Sequence, residues 1–252
     1  MSGHWVGSRY YASAQRASDQ RAPAQHALSG AIVGLALLAF PCAPNHAESR
    51  VPELTGRALS STPDVRHGEL LYQKFCAACH RKNGRGSDES AVPALAGQHP
   101  SYLIKQMAAF IEFEREDSGL HRVLAQAELS RPQSLSDLGA YLGSLPVNRE
   151  SNIAHGSSDA KAIAEGERLY ADNCSVCHLP TAEGDAEHFL PKLRGQNYSY
   201  VLMQLRRLAH GHRFDTSDAL LAVFDAMTSA EMEAVANYLS RLPPAPTHTA
   251  AR

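Results

Sequence analysis

Two pentapeptides carry most of the chemistry available to this chain: Cys76-Ala77-Ala78-Cys79-His80 and Cys174-Ser175-Val176-Cys177-His178. Two thiols three residues apart, followed at once by an imidazole, form the attachment signature of c-type haem. The cysteines form thioethers with the porphyrin vinyl groups, and the adjacent histidine projects onto the iron from the proximal side. One helical turn gathers the three side chains on one face, which is why the spacing is tight. Cys76, Cys79 and His80 are therefore expected to hold one haem, and Cys174, Cys177 and His178 a second, with His80 and His178 as iron ligands. Two other chemistries use C-x-x-C. A dithiol redox pair needs a βαβ setting, and no strand is evident here. A single four-cysteine zinc site is disfavoured by the 98-residue separation and by the doubled histidine. Cys42 stands apart, so the five cysteines do not read as a disulfide framework.

Whatever positions these motifs does so twice. Shifted by 98 residues, the chain lands on itself. Gly68-Glu69 meets Gly166-Glu167, Leu71-Tyr72 meets Leu169-Tyr170, and Gly97-Gln98 meets Gly195-Gln196. Pro93 and Leu95 meet Pro191 and Leu193, Tyr102 meets Tyr200, Gln106 meets Gln204, and Arg115 meets Arg213. After a one-residue slip, Tyr141-Leu142 and Leu145-Pro146 meet Tyr238-Leu239 and Leu242-Pro243. A unit of about ninety residues is small for a hydrophobic core, and a covalently held haem would staple it.

The periodicity is helical throughout. Asp64 is placed to cap a helix over residues 66–78, and residues 160–176 repeat that element. Helices are expected over 100–113 and 198–210, and closing helices over 134–145 and 228–242. The Gly- and Pro-rich stretches 81–97 and 179–195 read as loops around a haem edge. The fold class is all-α, as two similar domains in tandem related by internal duplication. The boundaries read as a signal peptide over 1–47, a first domain over 48–147, a linker over 148–160, a second domain over 161–243, and a flexible tail over 244–252.

With these motifs in place, the chain resembles the tandem two-haem cytochromes of the cytochrome c4 type over about residues 64–243. The likeness rests on both C-x-x-C-H motifs, on Pro93-Ala94-Leu95-Ala96-Gly97-Gln98 and Pro191-Lys192-Leu193-Arg194-Gly195-Gln196, and on the Tyr141 and Tyr238 helices. It implies two tandem class I cytochrome c domains, haems near the domain interface, and electron shuttling in the periplasm. It also implies that the Pro93 and Pro191 carbonyls accept the Nδ1–H of the proximal histidines, a bond that sets ring orientation and basicity. The family places a distal methionine several residues after the arginine matching Arg115 or Arg213, and here that methionine is missing from both copies. The first copy offers His121 near that position. The second offers Met227, a few residues late, with Leu220 in the expected place. His188, His210 and His212 are weaker candidates. Met107, Met203 and Met232 read as core, and His67, His99 and His155 as solvated.

The remaining sequence bounds location and function class. Residues 27–40 form an apolar run too short to span a bilayer comfortably, preceded by Arg9, Arg16 and Arg21 and followed by a cleavage-like Asn45-His46-Ala47. Export to the periplasm with cleavage is expected, without a stable membrane anchor. A formal charge of −2 gives no basic footprint for nucleic acid. No acid–base or nucleophilic constellation accompanies the haem motifs. The expected role is electron carriage between redox proteins, with a dehydrogenase or quinol-oxidising complex upstream and a terminal oxidase downstream. The competing class is a two-haem oxidoreductase or small-ligand binder with an open or unusually ligated iron.

Overall fold

A computed structural model describes residues 49–115, 117–147, 156–210 and 218–243. The expected signal peptide, Cys42, most of the linker, His155, His212, Arg213 and the tail lie outside the described residues. The regular elements are helices, in the order α1 (Val51–Leu59), α2 (Val65–Phe75), α3 (Ala77–His80), α4 (Pro100–Ile111), α5 (Ser118–Leu124), α6 (Pro132–Ser144), α7 (Ala160–Asn173), α8 (Ser175–His178), α9 (Tyr198–Ala209), α10 (Asp218–Asp225) and α11 (Ser229–Arg241). Isolated antiparallel bridges join Ser87 to Val92 and Asp185 to Leu190.

Local chemistry explains the starts. The Asp64 side chain caps α2 by accepting from the His67 N–H at 3.0 Å, and Asp159 caps α7 through the Lys161 N–H. α11 opens on a capping box between Thr228 and Glu231. α4 and α6 begin with proline, whose missing N–H costs nothing in a first turn. The haem-motif cysteines interrupt what was read as one helix: Cys76 and Cys174 end α2 and α7, and α3 and α8 follow as single turns.

The repeat is visible in the packing. α2 lies across α6 and α7 lies across α11, and each crossing is made at a glycine. A Cβ on Gly68 would stand 2.5 Å from the Asp137 carbonyl carbon, and one on Gly166 would stand 2.5 Å from that of Ala234. Only glycine lets these helices approach so closely. The first core gathers Leu71, Tyr72, Leu103, Phe110, Leu138 and Tyr141; the second gathers Leu169, Tyr170, Val201, Leu205, Val235 and Leu239. Among the described residues, α1 has no counterpart in the second half. It seats Val51 on Ala108 and Ala109, and Ala58 on Ile104 and Leu135.

The halves meet through reciprocal polar contacts. Gln98 donates Nε2–H to the Lys192 carbonyl at 2.9 Å and accepts the Lys192 N–H on Oε1 at 2.9 Å. Gln196 treats Ala94 in the same way, at 2.9 and 2.8 Å. Ala94 and Lys192 occupy equivalent places in the repeat. Asn197 donates to the Val92 carbonyl at 2.6 Å, and its counterpart His99 donates Nε2–H to the Glu183 carbonyl at 2.7 Å. His99 is thus half-buried between the halves, whereas the sequence placed it in solvent. Arg115 is buried, with its guanidinium donating to Gln106, to the Tyr200 hydroxyl at 3.0 Å and to Gln204 at 3.1 Å.

Candidate functional site

Each C-x-x-C-H segment sits where a buried cluster meets the surface. Cys76 and Cys174 pack against the two cores, while Cys79 and Cys177 are exposed. Burial, aided by the neighbouring cysteine, pushes the Cys76 thiol up to about 12 and the Cys174 thiol up to about 11. Neither of these buried thiols is a thiolate at neutral pH. Among the described residues, no group of three or more His, Cys, Asp or Glu side chains comes together as a metal cage. The reading of the four cysteines as a single zinc site therefore loses its support.

The histidines are set for one task. His80 Nδ1 lies 3.1 Å from the Pro93 carbonyl, and His178 Nδ1 lies 3.1 Å from the Pro191 carbonyl. A carbonyl only accepts, so Nδ1 carries the proton and the Nε2 lone pair is left for a metal. Burial pulls both imidazoles below their usual range despite these bonds, which keeps them neutral at pH 7. The carbonyls are held by a tight loop. Gly86 and Gly184 have φ of 66°, and a Cβ on either would stand 2.5 Å from the carbonyl carbon of Pro93 or Pro191. Buried Tyr72 and Tyr170 anchor the other end of each loop by donating to the Arg81 and Leu179 carbonyls at 2.5 and 2.6 Å.

The two distal candidates fare differently. Met227 packs on the cluster that contains Cys174 and Leu193, alongside Phe224. His121 lies in α5, where Leu120, Val123 and Leu124 join the cluster of Cys76, Ala77 and Leu95. Its Nε2–H donates to the Arg115 carbonyl at 2.6 Å, and its ring stands edge-on to Phe113 at 4.6 Å. Ligation through Nε2 would require breaking that bond. Of the weaker candidates, His188 pairs with Asp185 at 2.8 Å and His210 Nδ1 donates to the Arg206 carbonyl at 2.6 Å. His67 is also engaged, with Nδ1 at 2.7 Å from Asp137. Met232 is buried core, as read from its helical position.

The cytochrome c family model matches residues 65–146 and 163–243, one match per repeat. The chain belongs to the cytochrome c family. It is a tandem, all-α, cytochrome c4-like member. It is 29% identical over 180 residues to cytochrome c4 of Pseudomonas aeruginosa, covering 66% of this chain and 83% of that one. It is 32% identical over 188 residues to a thiosulfate dehydrogenase electron acceptor of Thiomonas intermedia, covering 69% and 82%. Reduced recombinant cytochrome c4 from Pseudomonas stutzeri aligns with a TM-score of 0.61 at 26% identity, covering 72% of this chain and all of that one. Two haem c groups are covalently held by Cys76 with Cys79 and by Cys174 with Cys177. As in its relatives, the chain is a dihaem electron-transfer cytochrome that works with redox partners.

Duplication makes the two attachment faces directly comparable, and they differ in charge. Arg81 and Leu179 share the same backbone, with φ of 62° and 65°. At equivalent positions the first face exposes Lys74, Arg81 and Lys82, and the second exposes Asp172, Leu179 and Pro180. Lys74 is paired with Glu128 at 2.6 Å. Val176, between the second pair of cysteines, is 84% exposed.

Proposed function

We propose that this cytochrome carries electrons in the periplasm, with His80 and His178 as proximal iron ligands. The observation that carries the ligand reading is the repeated Nδ1–carbonyl bond at 3.1 Å, which leaves both Nε2 atoms as donors. When bound, each haem supplies a one-electron couple at its iron. The chain's own part is to fix ring orientation through Pro93 and Pro191, and to exclude water with the apolar clusters around Cys76 and Cys174. Met227 is the second-copy distal ligand in this reading, supported by its packing on the same apolar cluster as Cys174. The upstream partner is a dehydrogenase or quinol-oxidising complex and the downstream one a terminal oxidase. A relative named as a thiosulfate dehydrogenase electron acceptor supports a dehydrogenase as donor. The basic and apolar N-terminal sequence supports export. Among the described residues, no helix is long and apolar enough to cross a membrane.

One observation favours a second reading for the first haem. α5 turns aliphatic side chains toward the cluster of Cys76, and His121 is engaged elsewhere through Nε2. A first-copy iron without His121 would take a small neutral ligand. Absorption spectra of the reduced holoprotein with carbon monoxide separate the readings. Two low-spin haems indifferent to carbon monoxide are the outcome expected of a pure carrier with His121 and Met227 as ligands. Immediate binding at the first copy would remove His121 from the ligand set and support the second reading.

A further inference from the structure

The bonds that join the halves and the bonds that hold the histidines converge on the same two peptide groups. Lys192 N–H and Pro191 C=O belong to one peptide unit, and that unit is planar. Gln98 Oε1 accepts from its N–H end at 2.9 Å, and His178 Nδ1–H donates to its C=O end at 3.1 Å. In the other half, Gln196 Oε1 accepts the Ala94 N–H at 2.8 Å, and His80 Nδ1–H donates to the Pro93 C=O at 3.1 Å. Each glutamine comes from the opposite repeat to the histidine it reaches. We propose that Gln98 positions and polarises His178 and that Gln196 positions and polarises His80, so that each half sets the haem potential of the other.

The physical case has two parts. First, the grip is rigid. Both glutamines are buried, and each engages the N–H and C=O of one residue, which pins the peptide planes on either side of that residue. Each Oε1 also accepts the N–H of the residue following its own, at 2.9 Å from His99 and 2.8 Å from Asn197, which locks the amide. Second, hydrogen bonds in series strengthen one another. Accepting at the N–H end makes the carbonyl a better acceptor. The Nδ1–H bond then tightens, and the imidazole becomes a more electron-rich donor at Nε2. Such a donor favours the ferric state, so breaking the link raises the potential of the haem in the opposite half. The effect lies one bond beyond a typical outer-shell contact. A change of about threefold in the one-electron equilibrium is expected, about 28 mV.

This inference rests on His80 and His178 being iron ligands. The test is made on full-length holoprotein with Gln98→Met, Gln196→Met, and the milder Gln98→Asn, which keeps the amide but cannot reach across. Potentiometric titrations are followed by NMR of the hyperfine-shifted haem-methyl and imidazole resonances, assigned copy by copy. Gln98 variants should raise the midpoint of the second haem by the stated amount and speed exchange of the His178 Nδ1 proton, leaving the first haem in place. Gln196→Met should do the reverse. Shifts in the haem of the mutated half, equal shifts in both, or no shift in the folded Gln98→Asn protein would overturn the proposal. Absence of ligated-imidazole resonances from the unaltered protein would overturn the ligand reading and this one together. Their presence with uncrossed shifts would overturn this one alone.

Discussion

A methyl group added at a helix crossing should do far more harm than the same methyl on an exposed helix. In Gly166→Ala the new Cβ would collide first with the Ala234 carbonyl oxygen, and would stand 2.5 Å from the carbonyl carbon and 3.0 Å from Tyr238 Cβ. Comfortable separation is about 3.5 Å, so α7 must retreat from α11 by at least about 1 Å. The obstacle is backbone, with no rotamer to move aside. A gap of that size forfeits up to about half of the contact energy across it. Leu169 and Tyr170 are buried on this face and are worth about 2–3 kcal/mol each, so the loss is about 2.5 kcal/mol. The ordinary helical gain of Gly→Ala, about 0.5–1 kcal/mol, offsets part of this and leaves about 1.5–2 kcal/mol; at about 2–4 °C per kcal/mol for a chain this long, the melting midpoint should fall by about 3–8 °C. Gly56 in α1 is the control, because nothing stands within 4 Å of its would-be Cβ. Gly56→Ala should stabilise by about 0.5–1 kcal/mol through backbone entropy and helix propensity. The assay is thermal unfolding of the oxidised holoprotein by far-ultraviolet circular dichroism. Equal effects of the two substitutions, or a Gly166→Ala midpoint within about 2 °C of the unaltered protein, would refute the close-packing argument.

Two further outcomes are expected. Asp137 is 1% exposed and accepts from the Asp64 N–H and the Gln133 amide, each at 2.7 Å, with His67 at the same distance. Asp137→Ala installs the residue that the second repeat already has as Ala234, so the helix crossing should form. It should nevertheless lose about 3 kcal/mol, measured as a lower urea midpoint, because three bonds to a buried carboxylate vanish. His99 is held below its usual range first by burial and also by Lys192, against the opposing pull of Glu183 and Asp185. Its folded state therefore binds fewer protons than its unfolded state. The stability it contributes is complete above about pH 6.5 and falls as the pH drops through that value until the folded ring also protonates. His99→Asn, which copies Asn197, should flatten this acid-side decline in urea midpoints, and an unchanged pH slope would exclude His99 as its source.

What could be read from sequence was whatever is local or repeated. The C-x-x-C-H motifs, the Asp64 cap, the Gly68 and Gly166 equivalence and the closing helices depend on neighbours in the chain or on the 98-residue register. α1 escaped notice because nine residues make too short a pattern and the described second half offers no counterpart to compare. His99 was misread because its partner, the Glu183 carbonyl, is 84 residues away and belongs to a backbone group that no side-chain pattern announces. The same limit hid the roles of Gln98 and Gln196. They were visible as repeated letters, but reciprocal docking of one half on the other is needed to show which peptide each one grips. His121 was selected by position alone, whereas the Arg115 carbonyl that occupies its Nε2 becomes visible only once α5 has folded back on the end of α4.

The unlike charges of the two attachment faces bear on events before any contact is made. Between residues 74 and 89 there are four basic side chains against two acidic ones; over the equivalent 172–187 there are four acidic and none basic, with His neutral. Such a separation gives the molecule an electric dipole that acts over roughly 8–10 Å at ordinary ionic strength. A charged protein diffusing toward it is turned before it arrives, so an acidic partner meets Arg81 and Lys82 first and a basic one meets the opposite repeat. Gene duplication supplied two equivalent ports, and a handful of surface substitutions then gave the pair a polarity, in the sense that a cable has two distinguishable plugs.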